Sequence, residues 1–109
     1  MLLEKTKEVL EGGFVAETCI YKSSNILESY YDEKDKDLYI TFSRGGNKYV
    51  YYDVSLEDYV WFREHETQGK TLQGRLKDYK FENCGKIDGS VLNETIEKRN
   101  KLELLITKK

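Results

Sequence analysis

The segment from Leu38 to Val54 constrains the fold most, because it has the alternating pattern of a β-hairpin around two adjacent glycines. Nine of the 109 residues are tyrosines, and eight of these lie between Tyr21 and Tyr59. Tyrosine has an apolar ring with a polar tip, so it suits a half-buried sheet face and equally suits stacking on a flat ligand. The segment therefore predicts two paired strands, and it leaves open whether their tyrosines form a core or a binding platform.

The glycine pair Gly45-Gly46 predicts the register of this hairpin. A two-residue turn needs positive φ at its centre, which glycine adopts without strain. Such a turn places Ile40 opposite Tyr51, and the alternation of side chains then defines two faces. The predicted core face carries Leu38, Ile40, Phe42, Tyr49 and Tyr51. The other face, a second covered surface or a binding platform, carries Tyr39, Thr41, Val50 and Tyr52.

The chain before the hairpin predicts one helix and two strands. The first ten residues have apolar side chains at helical spacing, and Gly12-Gly13 follows as a stop signal. Residues 14–22 and 26–32 have strand composition, and the charged run after them predicts a solvated hairpin loop. That run lacks the central glycine of a calcium-binding loop.

The chain after the hairpin predicts helices. Ser55 is the predicted N-cap of the first, because acidic residues follow in its first turn, and Gly69 is its predicted C-cap. Thr71 is the predicted cap of a second short helix. Residues 83–89 have the composition of a linker. Residues 91–106 predict an amphipathic helix, with a strand over the last few of them as the open alternative.

These elements together predict an α+β fold with a three- to four-stranded antiparallel sheet packed by two helices. The domain is expected to span residues 18–84. Terminal helical extensions are expected over residues 1–17 and 85–109. The extensions and the abundant tyrosines favour a homo-oligomer.

Composition excludes several classes of protein. No apolar run approaches the roughly 20 residues that span a bilayer, and no signal peptide is recognisable, so we expect a cytoplasmic protein without a membrane partner. The net charge of −2 argues against a protein that wraps nucleic acid, although residues 63–86 carry an excess of basic side chains. Cys19 and Cys84 are expected to be buried thiols, and a single histidine makes a structural zinc site improbable.

Several short motifs occur in the order found in one known family. They are Ser23-Ser24-Asn25-Ile26, Tyr31-Asp32, Leu38-Tyr39-Ile40-Thr41-Phe42 with Gly46, Tyr49-Val50-Tyr51, and Thr67-Gln68-Gly69-Lys70 with Leu76 and Tyr79. Together, over residues 21–84, they resemble the KTSC domain, which occurs at the carboxyl end of some lysyl-tRNA synthetases and in small proteins of bacteria and their viruses. Ser55 replaces the usual proline of the family, and Thr67 replaces a serine. The family is of uncharacterised function; the synthetase context suggests RNA binding, and the resemblance carries over no catalytic residue.

Candidate ligand-binding residues fall into three groups. The hydroxyl- and amide-rich turn Ser23-Ser24-Asn25 either bonds its own backbone or forms a polar cradle for a phosphate or a base edge. The aromatic candidates are Tyr39, Tyr49, Tyr51 and Tyr52. The cationic candidates are Arg44, Arg75 and Lys77.

Catalysis finds little support in the sequence. His65 is isolated among charged residues, and no serine or cysteine lies in a recognisable nucleophile motif. Gly45-Gly46 lacks the helix that follows a phosphate-binding loop. We therefore expect a non-enzyme without a cofactor or metal.

Two functional hypotheses follow. The first is a non-catalytic binding module for a nucleotide or short RNA, in which tyrosines stack the base and arginine or lysine holds phosphate. The alternative is a viral-type inhibitor that blocks a host protein, or that sequesters a host signalling nucleotide, such as a cyclic one, in an oligomer pocket.

Overall fold

The fold is a single antiparallel sheet in which each strand pairs with the next along the chain. The computed structural model describes residues 1–107, and over these residues the sheet has six strands in the order β1 to β6. The strands are β1 (Leu2–Val9), β2 (Val15–Tyr21), β3 (Ile26–Asp32), β4 (Asp37–Phe42), β5 (Asn47–Tyr51) and β6 (Phe81–Lys86). The helices are α1 (Leu56–Glu64), α2 (Gln68–Gln73) and α3 (Gly89–Thr107).

The α+β class is confirmed, but the predicted number of strands is too low. The four predicted strands are present as β2 to β5, and two edge strands were missed. The predicted N-terminal helix is wrong, because β1 occupies those residues and pairs with β2, with Lys5 opposite Cys19. The predicted linker over residues 83–89 is also largely wrong, because β6 pairs with β5 there.

The hairpin of β4 and β5 has the predicted faces but not the predicted register. Ile40 lies opposite Tyr49 and Thr41 opposite Lys48, a shift of two residues from the prediction. The loop contains four residues, Ser43 to Gly46, and its two glycines have positive φ. Because side chains alternate with a period of two, a shift of two residues leaves every side chain on its predicted face.

One face of the sheet forms the core beneath α1 and α2. The buried cluster there contains Cys19, Tyr21, Ile26, Tyr31, Leu38, Ile40, Tyr51, Val54, Tyr59, Phe62 and Leu76. Ser55 is the N-cap of α1, as predicted, since its side chain accepts a hydrogen bond from the Asp58 N–H. The other predicted caps are wrong, because α1 already ends at Glu64 and both Gly69 and Thr71 lie inside α2.

The opposite face of the sheet is crossed by α3. A Cβ added to Gly46 would lie 3.1 Å from Leu92, and Lys98 Nζ lies 2.9 Å from Glu4 Oε2 on β1. Glu4 pairs with Ile20, the neighbour of core residue Cys19, so the two side chains point away from the core. The predicted C-terminal helix is thus confirmed up to Thr107, and residues 108 and 109 lie outside the described residues.

Among residues 1–107, none of the helices combines the length and apolar character that a bilayer crossing requires. Both cysteines are free thiols. Cys19 is buried as expected, whereas Cys84 is exposed, because it lies on the edge strand β6 whose side chains all face solvent.

Candidate functional site

Two loops meet at one end of the sheet. In an antiparallel meander the β2–β3 loop (Lys22–Asn25) and the β4–β5 loop (Ser43–Gly46) must lie at the same end. Ser43 connects them, because its backbone N–H donates to the Asn25 carbonyl over 2.8 Å. Its hydroxyl also lies 3.2 Å from that oxygen and 3.4 Å from the Ser24 carbonyl oxygen.

The turn between α1 and α2 forms the opposite wall. Buried Gln68 fixes this turn, because its amide Nε2 donates to the His65 carbonyl over 2.6 Å and lies 3.3 Å from the Phe62 carbonyl. These carbonyls at the end of α1 have no intrahelical partner, so the amide acts as a C-terminal cap. Thr67 is left exposed beside it, and a Cβ on Gly69 would lie 4.0 Å from the Asn25 side chain.

Between these walls lies a cleft made of three adjoining cavities. The α2-side cavity has a volume of about 290 Å³ and is lined by Lys22, Ser23, Ser24, Asn25, Glu66, Thr67, Gly69, Lys70 and Gln73. The α3-side cavity, of about 560 Å³, is lined by Lys22, Ser23, Ser24, Ser43, Arg44, Thr67, Arg99 and Glu103. The aromatic cavity, of about 270 Å³, is lined by Asn25, Phe42, Arg44, Asn47 and Tyr49. Shared lining residues connect all three.

The cleft is cationic on a chain that is acidic overall. Its lining contains four cations, Lys22, Arg44, Lys70 and Arg99, against two carboxylates, Glu66 and Glu103, whereas the chain has a net charge of −2. Within residues 1–107 neither lysine nor Arg44 forms an ion pair, so these three charges face solvent or a ligand. The local field therefore favours an anion.

The turn Ser23-Ser24-Asn25, here called the serine turn, both bonds its own backbone and presents side chains to the cleft. The Ser23 hydroxyl oxygen accepts from the backbone N–H groups of Asn25 and Ile26, at 3.3 and 3.2 Å. The side chains of Ser24 and Asn25 are exposed and make no hydrogen bond within the described part of the chain. Ser23 therefore shapes the turn, and its two neighbours offer donors to the cleft.

The aromatic cavity has one ring wall and two amides. Phe42 and Tyr49 are half-buried, and their rings meet edge to face with centroids 5.5 Å apart. Asn25 and Asn47 place amide groups, each with donors and an acceptor, at the same cavity. A flat heteroaromatic ring with polar edges is the kind of ligand that such a wall accommodates.

The structure brings five of the ten sequence-derived candidates together: Ser23, Ser24, Asn25, Arg44 and Tyr49. Tyr51 does not join them, since it is 8% exposed and its ring stacks on Phe81 at 5.4 Å. Tyr39 and Tyr52 extend from the face that α3 crosses, opposite the core. Arg75 and Lys77 lie beyond α2, outside the cleft lining.

Local charge separates the two outlying groups from phosphate chemistry. Arg75 lies over the Trp61 ring, 4.7 Å from its centroid, and its Nη1 is 3.5 Å from the Asp58 carboxylate. Partial burial raises the pKa of Tyr39, and so does the charge of nearby Asp37. The pKa of Tyr52 is likewise raised by desolvation and by the Glu82 carboxylate. The carboxylates beside Tyr52 and Arg75 would repel a phosphate, whereas Tyr39, which has Lys48 Nζ 5.3 Å from its ring centroid, is separated from the cleft by its sheet face.

Sequence reasoning missed several cleft residues: Lys22, Phe42, Ser43, Asn47, Thr67, Gly69, Lys70 and Arg99. Phe42, Thr67, Gly69 and Lys70 belong to motifs identified in the sequence, and Lys22, Ser43 and Asn47 lie next to such motifs, so motif position was the available signal. Arg99 had none, because it lies in a helix whose position on the sheet no local pattern reveals. Within residues 1–107, no group of three or more acidic, histidine or cysteine side chains is placed to hold a metal ion.

The titratable group with the most complete set of buried partners lies outside the cleft. Glu17 on β2 is 4% exposed and accepts hydrogen bonds from Tyr59 Oη at 2.6 Å and Arg63 Nη1 at 2.8 Å. Burial alone would raise the pKa of Glu17, but these two hydrogen bonds and the guanidinium charge hold it below its usual value. The group is sealed beneath α1, so it fastens α1 to the sheet.

Comparisons with known proteins agree with this architecture. The model of the KTSC domain family matches residues 22–81, which is more than half of the 109-residue chain. The crystal structure of a KTSC domain protein from Yersinia pestis is similar with a TM-score of 0.57 and 22% identity, over 75% of this chain and 100% of that one. At that identity the likeness shows the fold alone. No curated protein matches.

Proposed function

The chain belongs to the KTSC domain family, and we propose that this member is a non-catalytic module that binds a nucleotide or the end of a short RNA in the cleft. The observation that carries the proposal is the meeting of two distant motifs, Ser23-Ser24-Asn25 and Thr67-Gln68-Gly69-Lys70, across one cationic cleft. The exposed members of these motifs have no part in the core cluster, so packing does not explain their polar side chains.

Phosphate binding is supported by the donors of the serine turn and by the cations around it. The hydroxyl of Ser24 and the amide of Asn25 are exposed, and Lys22 lines the same cavities. Arg44 lies at the junction between the α3-side and aromatic cavities. A guanidinium binds two phosphate oxygens at once, and a hydrogen bond to a charged group contributes about 1.5–3 kcal/mol.

Base binding is supported by the aromatic cavity, and its size explains why the ligand would extend beyond it. Small-molecule sites have volumes of roughly 300–1,000 Å³, whereas the aromatic cavity has about 270 Å³. It therefore accommodates a base, and the sugar and phosphate would lie in the cavities that share Asn25 and Arg44 with it. Stacking of a base on an aromatic side chain contributes about 1–3 kcal/mol.

The test is calorimetric titration of AMP, UMP and five-nucleotide RNA into the chain, with two matched arginine variants. Arg44→Ala removes an unpaired cation of the cleft, so we expect affinity to fall roughly 10- to 150-fold, as 1.5–3 kcal/mol implies. Arg75→Ala removes another exposed cation, one that carboxylates already neutralise, so affinity should stay unchanged. Equal losses in both variants would contradict a specific phosphate site.

A second pair of variants tests the base. Tyr49→Leu removes the ring from the aromatic cavity, whereas Tyr39→Leu removes one from the opposite face of the sheet. We expect only the first to weaken binding, by about 1–3 kcal/mol. The affinity for RNA should also fall with salt, with a slope of roughly 0.7 per phosphate contacted. Binding that is insensitive to salt would contradict the phosphate contacts.

An inhibitor that binds a host protein is the second candidate function. The observation that favours it is the apolar surface of α1, where Leu56 is 52% exposed and Trp61 is 36% exposed above Arg75. Tryptophan and arginine are the residues most enriched at binding hot spots. This role would be supported if Leu56→Ser no longer captured a host protein that the natural chain captures, while it still bound nucleotide. Equal capture by the natural chain and by Leu56→Ser would contradict it.

Self-association, expected from the sequence, is also a proposal. Leu104, Leu105 and Ile106 near the end of α3 are 58%, 62% and 45% exposed, and burial in an interface would remove this apolar surface from water. Sedimentation should give more than one copy for the natural chain and a single copy for Leu104→Ser/Leu105→Ser. A monomer at all concentrations would exclude a composite pocket.

A further inference from the structure

Arg99 on α3 lines the cleft from outside the family domain. It lies beyond residues 22–81, yet its side chain faces the α3-side cavity together with Ser23, Ser24 and Arg44. The side chain is 18% exposed, and within residues 1–107 its buried Nε has no hydrogen-bond acceptor. A guanidinium N–H that is buried without an acceptor loses its hydrogen bonds to water and gains none in return.

The neighbours of Arg99 do not supply that acceptor. Glu103 Oε1 lies 3.7 Å from Nε, which is an ion-pair distance but too long for a hydrogen bond. The Asn100 amide oxygen lies 3.5 Å from Nη2, at the outer limit of a hydrogen bond. The Arg99 guanidinium therefore lines the α3-side cavity while its contacts to protein acceptors are long.

The cations of the cleft fall into two pairs on either side of the serine turn. Lys22 and Lys70 line the α2-side cavity, whereas Arg44 and Arg99 line the α3-side cavity. Lys22 lines both cavities. Ser23 and Ser24 line both cavities. Neither Lys70 nor Arg44 forms an ion pair within residues 1–107, so one phosphate in either cavity would leave the cation of the other cavity without an anion.

We propose that the cleft takes a ligand with two phosphate groups, such as a nucleoside bisphosphate or a dinucleotide, and that Arg99 binds the second phosphate. This inference rests on the proposed function, because it assigns the ligand class of the same cleft. It also assigns a role to α3, which adds a cation to a site that the family domain builds without it.

The experiment compares two ligand classes in three chains. The 3′,5′-bisphosphates of adenosine and uridine are titrated against the corresponding 5′-monophosphates into the natural chain, Arg99→Met and Lys101→Met. Methionine keeps the apolar stem of the side chain and removes its charge, and exposed Lys101 on the same helix controls for loss of a surface cation.

The natural chain should bind a bisphosphate at least tenfold more tightly than its monophosphate. Arg99→Met should lose that tenfold gain and keep its monophosphate affinity, while Lys101→Met keeps both. The melting temperature of Arg99→Met should equal or exceed that of the natural chain, because the variant removes a buried donor that lacks an acceptor. If Arg99 were purely structural, the melting temperature of Arg99→Met would be lower than that of the natural chain.

The outcomes separate this inference from the function on which it rests. Monophosphate binding that depends on Arg44, with no gain from a second phosphate or with a gain that survives Arg99→Met, would overturn the inference and leave the proposed function standing. Failure of every mono- and bisphosphate to bind the natural chain would overturn both.

Discussion

Tyr59 lies at the centre of the buried contact that joins α1 to the sheet. Its hydroxyl donates to Glu17 Oε1 over 2.6 Å, and Arg63 Nη1 approaches the same oxygen at 2.8 Å. Tyr31 lies beside it, with the two rings stacked at 4.1 Å and 9°. The Tyr31 hydroxyl donates instead to the Val54 carbonyl, at 2.6 Å. The two tyrosines thus form a natural pair that differs in the charge of the acceptor.

We expect Tyr59→Phe to lower the free energy of unfolding by about 2–3 kcal/mol, because it removes a hydrogen bond to a buried carboxylate, and such bonds contribute about 1.5–3 kcal/mol. Tyr31→Phe removes a bond to a neutral carbonyl, so the expected loss is about 1 kcal/mol. Both variants keep the stacked ring and its buried area. Urea unfolding followed by the fluorescence of Trp61, the only tryptophan, gives both values.

The pH dependence distinguishes the two losses. The hydrogen bonds hold the pKa of Glu17 below its usual value despite its burial. A carboxyl whose folded pKa is lowered stabilises the fold above its unfolded pKa of about 4.3, and this stabilisation is lost as pH falls through the folded pKa. The Tyr59→Phe loss should therefore shrink at acid pH while the Tyr31→Phe loss stays constant. Equal losses at neutral pH, or a Tyr59→Phe loss that does not change with pH, would refute this account.

Three further changes have expected outcomes. Gly46→Ala should cost roughly 1 kcal/mol more in stability than Gly45→Ala, because both have positive φ but only at Gly46 would the Cβ press on Leu92, at 3.1 Å; equal costs in urea unfolding would contradict the docking of α3. Burial raises the pKa of Glu28 even though nearby lysines lower it, so the charged form of Glu28 is disfavoured in the fold. Glu28→Gln should therefore raise the melting temperature at pH 7, and this gain should disappear below about pH 4. A lower melting temperature of Glu28→Gln at pH 7 would contradict this prediction. Gln68→Met removes the donor to the end of α1, so it should cost about 1–3 kcal/mol and weaken AMP binding; unchanged AMP affinity would separate that turn from the cleft.

The central hairpin was predictable because its core-facing residues recur at every second position, a period that fits a strand and does not fit a helix. Leu38 and Ile40 are fully buried, as an alternating core face requires. The register was not predictable from the glycine pair, because Gly45 and Gly46 also suit the last positions of a four-residue loop. The faces remained correct only because the error was an even number of residues.

The two edge strands were not predictable, for opposite reasons. In β1, the spacing of Leu2, Leu3 and Val9 fits a helix as well as a strand, and Val9 is in fact 76% exposed. Short apolar patterns do not distinguish the two structures, and pairing with β2 decides. In β6 every side chain is exposed, so no apolar periodicity exists, and its backbone pairing with β5 alone defines the strand.

The candidate site was predictable in its motifs and not in its assembly. Ser23 to Asn25 were identifiable from their hydroxyl and amide composition, and Arg44 from its place beside the glycines. Tyr39 and Tyr52 are the same residue type as Tyr49 and lie in the same tyrosine-rich segment. Only the sheet face on which each ring lies, and the carboxylates near that face, separate them from Tyr49.

The location of the cleft follows from topology once the strands are known. In a meander, successive hairpin loops alternate between the two ends of the sheet, so the loops after β2 and β4 share one end and the charged turn after β3 lies at the other. With the strand-end residues Asp32 and Asp37 included, this turn carries four acidic and two basic side chains, so its net negative charge lies at the end away from the cleft. Gln68 then fixes the α1–α2 turn through the carbonyls at the end of α1. A loop that closes a strand pair needs no particular polar side chains to do so, which is why their concentration at this one end is the feature that points to a ligand.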